Sequence, residues 1–218
     1  MCFSASASFV TAAVTGSLGI AALIRAPQRQ DLLLAATPLL FALHQGIEGL
    51  LWLELAHGPG RPLAGGLTVL FLLIAEAFWP VYAPLAILLI EPDRLRRRLI
   101  RGCLVIGLCT GAVLAWWVLA RPHAAAIVGG HIAYLSEDRD SRAIALAYLV
   151  ATVLPLFLSS HRTALTLGTI ILAGYVVTYL FYREAFVSVW CFFAAAASVA
   201  ILGHFEWSRR QRLRGALS

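Results

Sequence analysis

Lysine is missing altogether, since all 17 basic residues of this 218-residue chain are arginine. A covalently held retinal needs a lysine amine for its Schiff base, so that cofactor is excluded however many helices the chain forms. Charge is scarce too, at 13% of residues, against about a quarter in a soluble domain. Apolar residues reach 61% and the mean hydropathy is +0.84. A water-soluble fold of this length could not hide that much apolar surface. Bilayer spans need not hide it, because lipid is the solvent for their outer faces. Arginine without lysine, beside abundant Ala, Leu and Gly, also fits the coding bias of a GC-rich bacterial genome.

Other signals are absent as well. The cysteines at positions 2, 103, 109 and 191 form no CxxC pair and no zinc or disulfide framework. The first apolar stretch has no basic n-region and no A-x-A site, so no cleavable signal peptide is expected. There is no HExxH motif, no internal repeat and no long linker. The chain reads as one domain, 1–218.

Seven apolar stretches emerge, near 4–24, 32–54, 66–90, 100–120, 143–158, 164–182 and 186–207. The expected fold is all-α, a seven-helix transmembrane bundle. The fifth stretch is short and contains Pro155. Arginines on alternate sides give the orientation. One side takes Arg25, Arg29, Arg94, Arg96, Arg97, Arg98, Arg101, Arg162, Arg209, Arg210, Arg212 and Arg214, twelve in all. The other has Arg61, Arg121, Arg139, Arg142 and Arg183, five in all. The richer side should be cytoplasmic, with the N-terminus outside and the C-terminus inside, in a bacterial inner membrane. Acids sharpen the split. Asp31, Glu91, Asp93 and Glu206 leave the inner side at +8, while Glu54, Glu137, Asp138, Asp140 and Glu184 neutralise the outer side. The net charge of +6 is thus a topology signal, with some attraction for anionic lipid, and not a nucleic-acid footprint.

The longest connection, about 121–142, lies outside. Gly129-Gly130 stands between two short β-prone runs and reads as a two-residue hairpin turn. A hairpin capping the outer mouth and an ordinary ordered loop are both open readings.

Two acids remain within spans, Glu48 and Glu76. Ionisable groups there are expensive and by default mark a site facing the bundle interior. His44, Gln45 and Glu48 lie on span 2, with His44 and Glu48 four apart on one face. Glu76 on span 3 is followed by Trp79 and Tyr82. At 1.5 Å per residue, Glu48 and His44 lie roughly 10–16 Å below the outer surface and Glu76 about 15 Å, so the three can meet in one layer. The competing reading is interhelical glue, in which such groups simply bond one another. A histidine and two carboxylates suit zinc or another divalent ion, and an open position on it would activate water. A proton-coupled solute site would use the same residues. The expected ligand-facing set is His44, Gln45, Glu48, Glu76, Trp79, Tyr82 and Tyr179, with His44, Glu48 and Glu76 as metal ligands.

Cys2 and Cys191 both fall in the outer half and form a candidate thiol site. They could pair, share a soft metal, or be small fillers. His204, near the inner end of span 7, is expected to meet headgroups or an inner-side partner. Ser159-Ser160-His161-Arg162 reads as a helix-end turn, because a serine–histidine nucleophile pair there has no acid nearby in sequence.

The opening MCFSASASF, IEGLLW at 47–52, FWPVYAPLA at 78–86, SSHR at 159–162 and YLFYREAFVSVWCFFAA at 179–195 carry a resemblance. The chain resembles, over nearly its whole length, a bacterial family of small multi-span membrane proteins of unknown function. The resemblance implies only that Cys2, Glu48, Trp79, His161, Arg162 and Trp190 fall within recognisable motifs. A looser likeness is to alkaline ceramidases and progestin-receptor-like proteins, seven-span zinc hydrolases with a histidine in span 2, an acid in span 3 and paired histidines in span 7. His44 and Glu76 are similarly placed. Leu40 stands where that pattern has serine, and His204 has no second histidine four residues away.

The expectation is therefore an outward-opening polar site that binds a metal ion or small polar ligand, in its enzyme form a metal-assisted lipid hydrolase. A proton-coupled small-solute transporter and a non-catalytic subunit of a membrane complex are the alternatives. Membrane lipids are expected partners in all three, and nucleic acid in none.

Overall fold

In the computed structural model, residues 4–58, 61–135, 141–181 and 197–215 are described, with Ser208 and residues 211–215 as backbone only. The chain is mostly helical. Helix α1 runs Ala5–Arg25, and Ser4 caps it by accepting the Ala7 N–H. A 3-10 turn at Arg29–Asp31 leads into α2, Leu32–Ala56. A long run, Pro62–Ile90, comprises α3 (Pro62–Leu72), a π turn (Leu73–Phe78) and α4 (Trp79–Ile90). Asp93 caps α5, Arg94–Ala120, by accepting the Arg96 N–H at 2.8 Å. Strands β1 (Ala124–Val128) and β2 (His131–Leu135) follow, then α6 (Arg142–Thr152), α7 (Leu154–Leu158), α8 (Arg162–Phe181) and α9 (Ser198–Gly215).

Five runs are long and apolar enough to cross a membrane: Ala5–Arg25, Arg29–Ala56, Pro62–Ile90, Arg94–Ala120 and Arg162–Phe181. Large apolar side chains stand exposed along them, such as Ile24 at 77% and Leu119 at 67%. Water would not tolerate so much, and lipid favours it. The expected fifth span is instead two helices that break at Val153. Pro155 explains this, since proline disfavours helical backbone before it and has no N–H for the residue 151 carbonyl. Of the expected seventh span, residues 186–196 lie outside those described. The helix from Ser198 continues past position 207 and carries the basic tail with it.

Two apolar clusters mark opposite ends of the bundle. One gathers Ala22, Leu34, Ile90, Ile100, Leu156, Ala164 and Phe205, where helices the sequence brings to the inner side begin or end. Arg25 closes that end with an ion pair to Glu206 at 2.9 Å. The other gathers Leu51, Trp52, Leu67, Phe71 and Ile132 around the strands. The strands pair antiparallel with Val128 opposite His131. Gly129 and Gly130 have φ of 58° and 79°, the two positive values a tight I′ turn needs. Ile132 is fully buried, so the hairpin is seated on the helices and is not a loose connection.

Small residues let helices approach closely. A Cβ on Gly107 would lie 1.9 Å from the Pro80 carbonyl oxygen, and one on Gly111 would lie 2.6 Å from that of Ala77. Pro84 has no N–H to offer the Pro80 carbonyl, which leaves that oxygen for the α5 backbone to cover. Gly19 on α1 likewise admits Leu39 of α2, where a Cβ would meet its backbone N at 2.8 Å. Gly107→Ala should therefore destabilise the purified protein by about 1–3 kcal/mol. Gly102, with nothing within 4 Å, should accept alanine with a gain of about 0.5–1 kcal/mol. Thermal unfolding in detergent measures both. Equal effects would contradict the close α4–α5 contact.

Candidate functional site

The π turn organises the site. A turn of this kind is wider by one residue and shifts which backbone donor each carbonyl meets. In its i+5 register the Ala75 carbonyl would look to residue 80, which is proline and has no N–H. Tyr148 supplies the donor instead, its hydroxyl reaching the Ala75 oxygen at 2.6 Å. Just before the turn, the Phe71 carbonyl accepts from His44 Nε2 at 3.2 Å. The His44 ring also packs on the Phe71 ring, centroids 4.1 Å apart, and Tyr134 of β2 stacks on Phe71 from the other side at 4.7 Å. An aromatic column thus links the hairpin to the middle of α2.

His44, Gln45 and Glu48 are all fully buried, at 0%, 1% and 0% exposure. Because a carbonyl can only accept, His44 Nε2 carries the proton. In the neutral ring Nδ1 is then an acceptor, and among the described residues it meets no donor. Gln45 donates from Nε2 to Glu48 Oε2 at 3.3 Å, which leaves its Oε1 likewise unpartnered. Ser8 on α1 is buried, and its hydroxyl too is unpartnered among the described residues. It precedes Phe9, whose ring lies against Gly49.

The other expected residues are distributed differently. Glu76 sits within the π turn and is partly buried. Among the described residues no group of three His, Cys, Asp or Glu side chains could hold a metal ion. His44, Glu48 and Glu76 are thus not gathered as a three-ligand centre. Two physical reasons apply. Glu76 lies in the irregular π turn rather than on a straight helix, and His44 uses Nε2 on a backbone carbonyl. Trp79 and Tyr82 are buried but face an apolar cavity with Phe41, which stacks on Trp79 at 4.4 Å. Tyr179 is half exposed on α8, stacked on Tyr175 at 6.2 Å, and does not line that cavity. Cys2 and Cys191 lie outside the described residues, as does Trp190.

At the opposite end of the bundle the structure supplies an acid that the SSHR turn lacks in sequence. Glu91, directly after α4, is 1% exposed. It accepts the Ser159 hydroxyl at 2.9 Å, the Ser160 N–H at 2.8 Å and the Ser160 hydroxyl at 2.5 Å. The Asp93 N–H adds a fourth bond at 3.2 Å. His161 Nε2 donates to the Ile90 carbonyl at 3.0 Å, and Arg96 reaches the Leu158 carbonyl. Both serine hydroxyls are bound to the carboxylate and neither to the imidazole, so this is a clamp joining α4 to the α7–α8 turn and not a nucleophile pair. His204 extends it, Nδ1 lying 2.7 Å from the Thr163 hydroxyl. Sequence reasoning counted Glu91 only as an inner-side charge. The signal available was its place immediately after a long apolar run, opposite a polar turn.

Burial pushes the Glu91 carboxyl up, but the bonds from Ser160, Ser159 and the Asp93 N–H outweigh it and hold its pKa below the ordinary 4.5. A depressed carboxylate contributes stability that is complete above its unfolded value and lost as pH falls through the lower folded value. Wild-type protein should lose unfolding temperature on acidification, and Glu91→Gln should start lower and show less of that acid dependence. Parallel curves for the two would contradict the clamp.

No curated protein and no solved structure matches the sequence. The model of a family of unknown function, DUF6629, matches residues 1–216, and with nearly the whole chain covered, the protein belongs to that family.

Proposed function

We propose that this is a seven-span protein of the bacterial inner membrane, N-terminus outside and C-terminus cytoplasmic, that binds one small polar ligand in the His44–Gln45–Glu48 layer beneath the hairpin. The carrying observation is the set of orphaned atoms: His44 Nδ1, Gln45 Oε1 and the Ser8 hydroxyl, all buried and unpartnered among the described residues. Each such group costs about 1–3 kcal/mol. Three together rival the whole stability of an ordinary domain, about 5–15 kcal/mol. Lipid cannot relieve them.

The chemistry of the orphans narrows the guest. Two of the three are acceptors, so the guest presents N–H or O–H donors, or positive charge. An ammonium-type cation or a small hydroxylated molecule meets that need. The Glu48 carboxyl, bonded to Gln45 in the same layer, favours positive charge further. The seated hairpin supports a covered site on the outer side, in place of an open mouth.

Wild-type protein purified in lipid nanodiscs should carry one such small molecule or cation per chain, detected by elemental analysis and by mass spectrometry after denaturation. Gln45→Leu removes an orphaned acceptor together with the donor to Glu48, so it should lose the occupant while the protein still folds. A wild-type protein with no occupant, or a variant that keeps it, would contradict the proposal. Orientation is checked separately: a fluorescent reporter that matures only in the cytoplasm should be bright at the C-terminus and dark when inserted at Gly130. The reverse pattern would overturn it.

A further inference from the structure

The first two turns of α5 hold the arginines 94, 96, 97, 98 and 101 and no acid. Folding alone does not favour them there. The start of a helix is the positive end of its dipole, which stabilises acids and not arginines. Only Arg96 is tied to the bundle, donating to the Leu158 carbonyl at 3.0 Å. Arg94, Arg98 and Arg101 are exposed and Arg97 is half-buried. At 3.6 residues per turn these four share an arc of about 100°, opposite the buried Ile100, Cys103 and Gly107. Among the described residues none of the four pairs with a carboxylate. The described acids at this end of the bundle are committed elsewhere. Glu91 holds the serine turn, Glu206 takes Arg25 and Arg210, Asp31 accepts the Gln28 N–H and Asp93 the Arg96 N–H.

The same face then becomes apolar. Val105, Leu108, Ala112, Trp116 and Leu119 follow Arg101 at steps of three and four, and all are exposed. The helix has 27 residues, about 40 Å at 1.5 Å each, against about 30 Å of hydrocarbon. The surplus of about 10 Å equals the rise from Arg94 to Arg101. It sets the arginines at headgroup level and Val105 and Leu108 against acyl chains. Topology asks for arginines at this level on any face. It does not ask for four on one face, above a continuous apolar stripe.

We propose that this face of α5 binds one anionic phospholipid, its phosphate held between Arg98 and Arg101 and an acyl chain laid along Val105 and Leu108. Arg98 and Arg101 are one turn apart and so neighbours on the helix surface. Each guanidinium can give a phosphate two parallel N–H bonds. Arg94 and Arg97 add positive charge around it. Gly102, just below, has nothing within 4 Å of where a Cβ would stand, so the helix surface is open beneath the headgroup. A soluble phosphate would use the arginines and leave the stripe idle. The site is separate from the polar layer of α2 and stands without it.

The test titrates full-length protein in neutral detergent with phosphatidylglycerol and with phosphatidylcholine of the same acyl chains. Native mass spectrometry counts the bound lipid. Phosphatidylglycerol should saturate at one lipid per chain, and phosphatidylcholine should not. Arg98→Gln combined with Arg101→Gln should weaken phosphatidylglycerol about 30-fold, at about fivefold per arginine. Arg29→Gln combined with Arg162→Gln removes the same charge from other helices and should cost less than about twofold. Glycerol phosphate, the headgroup without its chains, should not compete at matched concentration. If the first pair of substitutions prevents folding, a wild-type map in phosphatidylglycerol nanodiscs makes the assignment. It should show phosphate density about 2.7–2.9 Å from a guanidinium nitrogen of Arg98 or Arg101. No saturation at one lipid, equal binding of both lipids, equal losses in the two pairs, competition by glycerol phosphate, or a map with no phosphate there would overturn the proposal.

Discussion

The π turn at Leu73–Phe78 is the constraint on which the middle of the bundle depends. A carbonyl inside a membrane must find a donor in protein, because lipid offers none. Pro80 removes the backbone donor that the wide turn would give Ala75, and Tyr148 is drawn in from α6 to replace it. Phe71, at the turn's near edge, takes His44 from α2. Two helices are thereby tied to one irregular stretch. The same bonds decide the chemistry left over, since His44 spends Nε2 on structure and leaves only Nδ1 for a guest. Tyr148, held by its hydroxyl, presents its ring to the apolar cavity. Polar layer and apolar cavity are two consequences of one backbone irregularity.

Stability away from that turn is divided between the two ends. At one end the hairpin seats Ile132 among the helices and lays Tyr134 on Phe71. At the other end Glu91 gathers the Ser159–Ser160 turn, and Arg25 meets Glu206. Between them the glycines of α1 and α5 set how near the backbones come. Apolar packing alone is a weak organiser in lipid, where exposed leucine is already satisfied. Polar clamps at the ends and glycine contacts in the middle supply the specificity that burial supplies in water.

Much of this was legible in the residues. Five of the expected spans match long apolar helical runs, because hydropathy over a bilayer's thickness depends on composition and not on partners. Gly129-Gly130 announced its turn, since two consecutive positive φ values are nearly a glycine property. His44, Gln45 and Glu48 were singled out by the cost of polar groups in lipid, and burial agrees with that cost. Three things were not legible. The π turn leaves no periodic mark in an all-apolar stretch, so the irregular backbone that carries Glu76 was not foreseen. The break at Val153 was visible only as Pro155, without its extent. Glu91 and the SSHR turn are 68 residues apart at Ser159, and no local pattern reports a contact of that range.

A map of the wild-type protein in a nanodisc, at a resolution that shows ordered water, tests the central claim most directly. The account predicts one non-water density in the layer, within hydrogen-bond distance of both His44 Nδ1 and Gln45 Oε1, of about 2.7–3.2 Å. A layer that holds water alone, or one closed by a direct bond between those two side chains and a neighbouring helix, would contradict it.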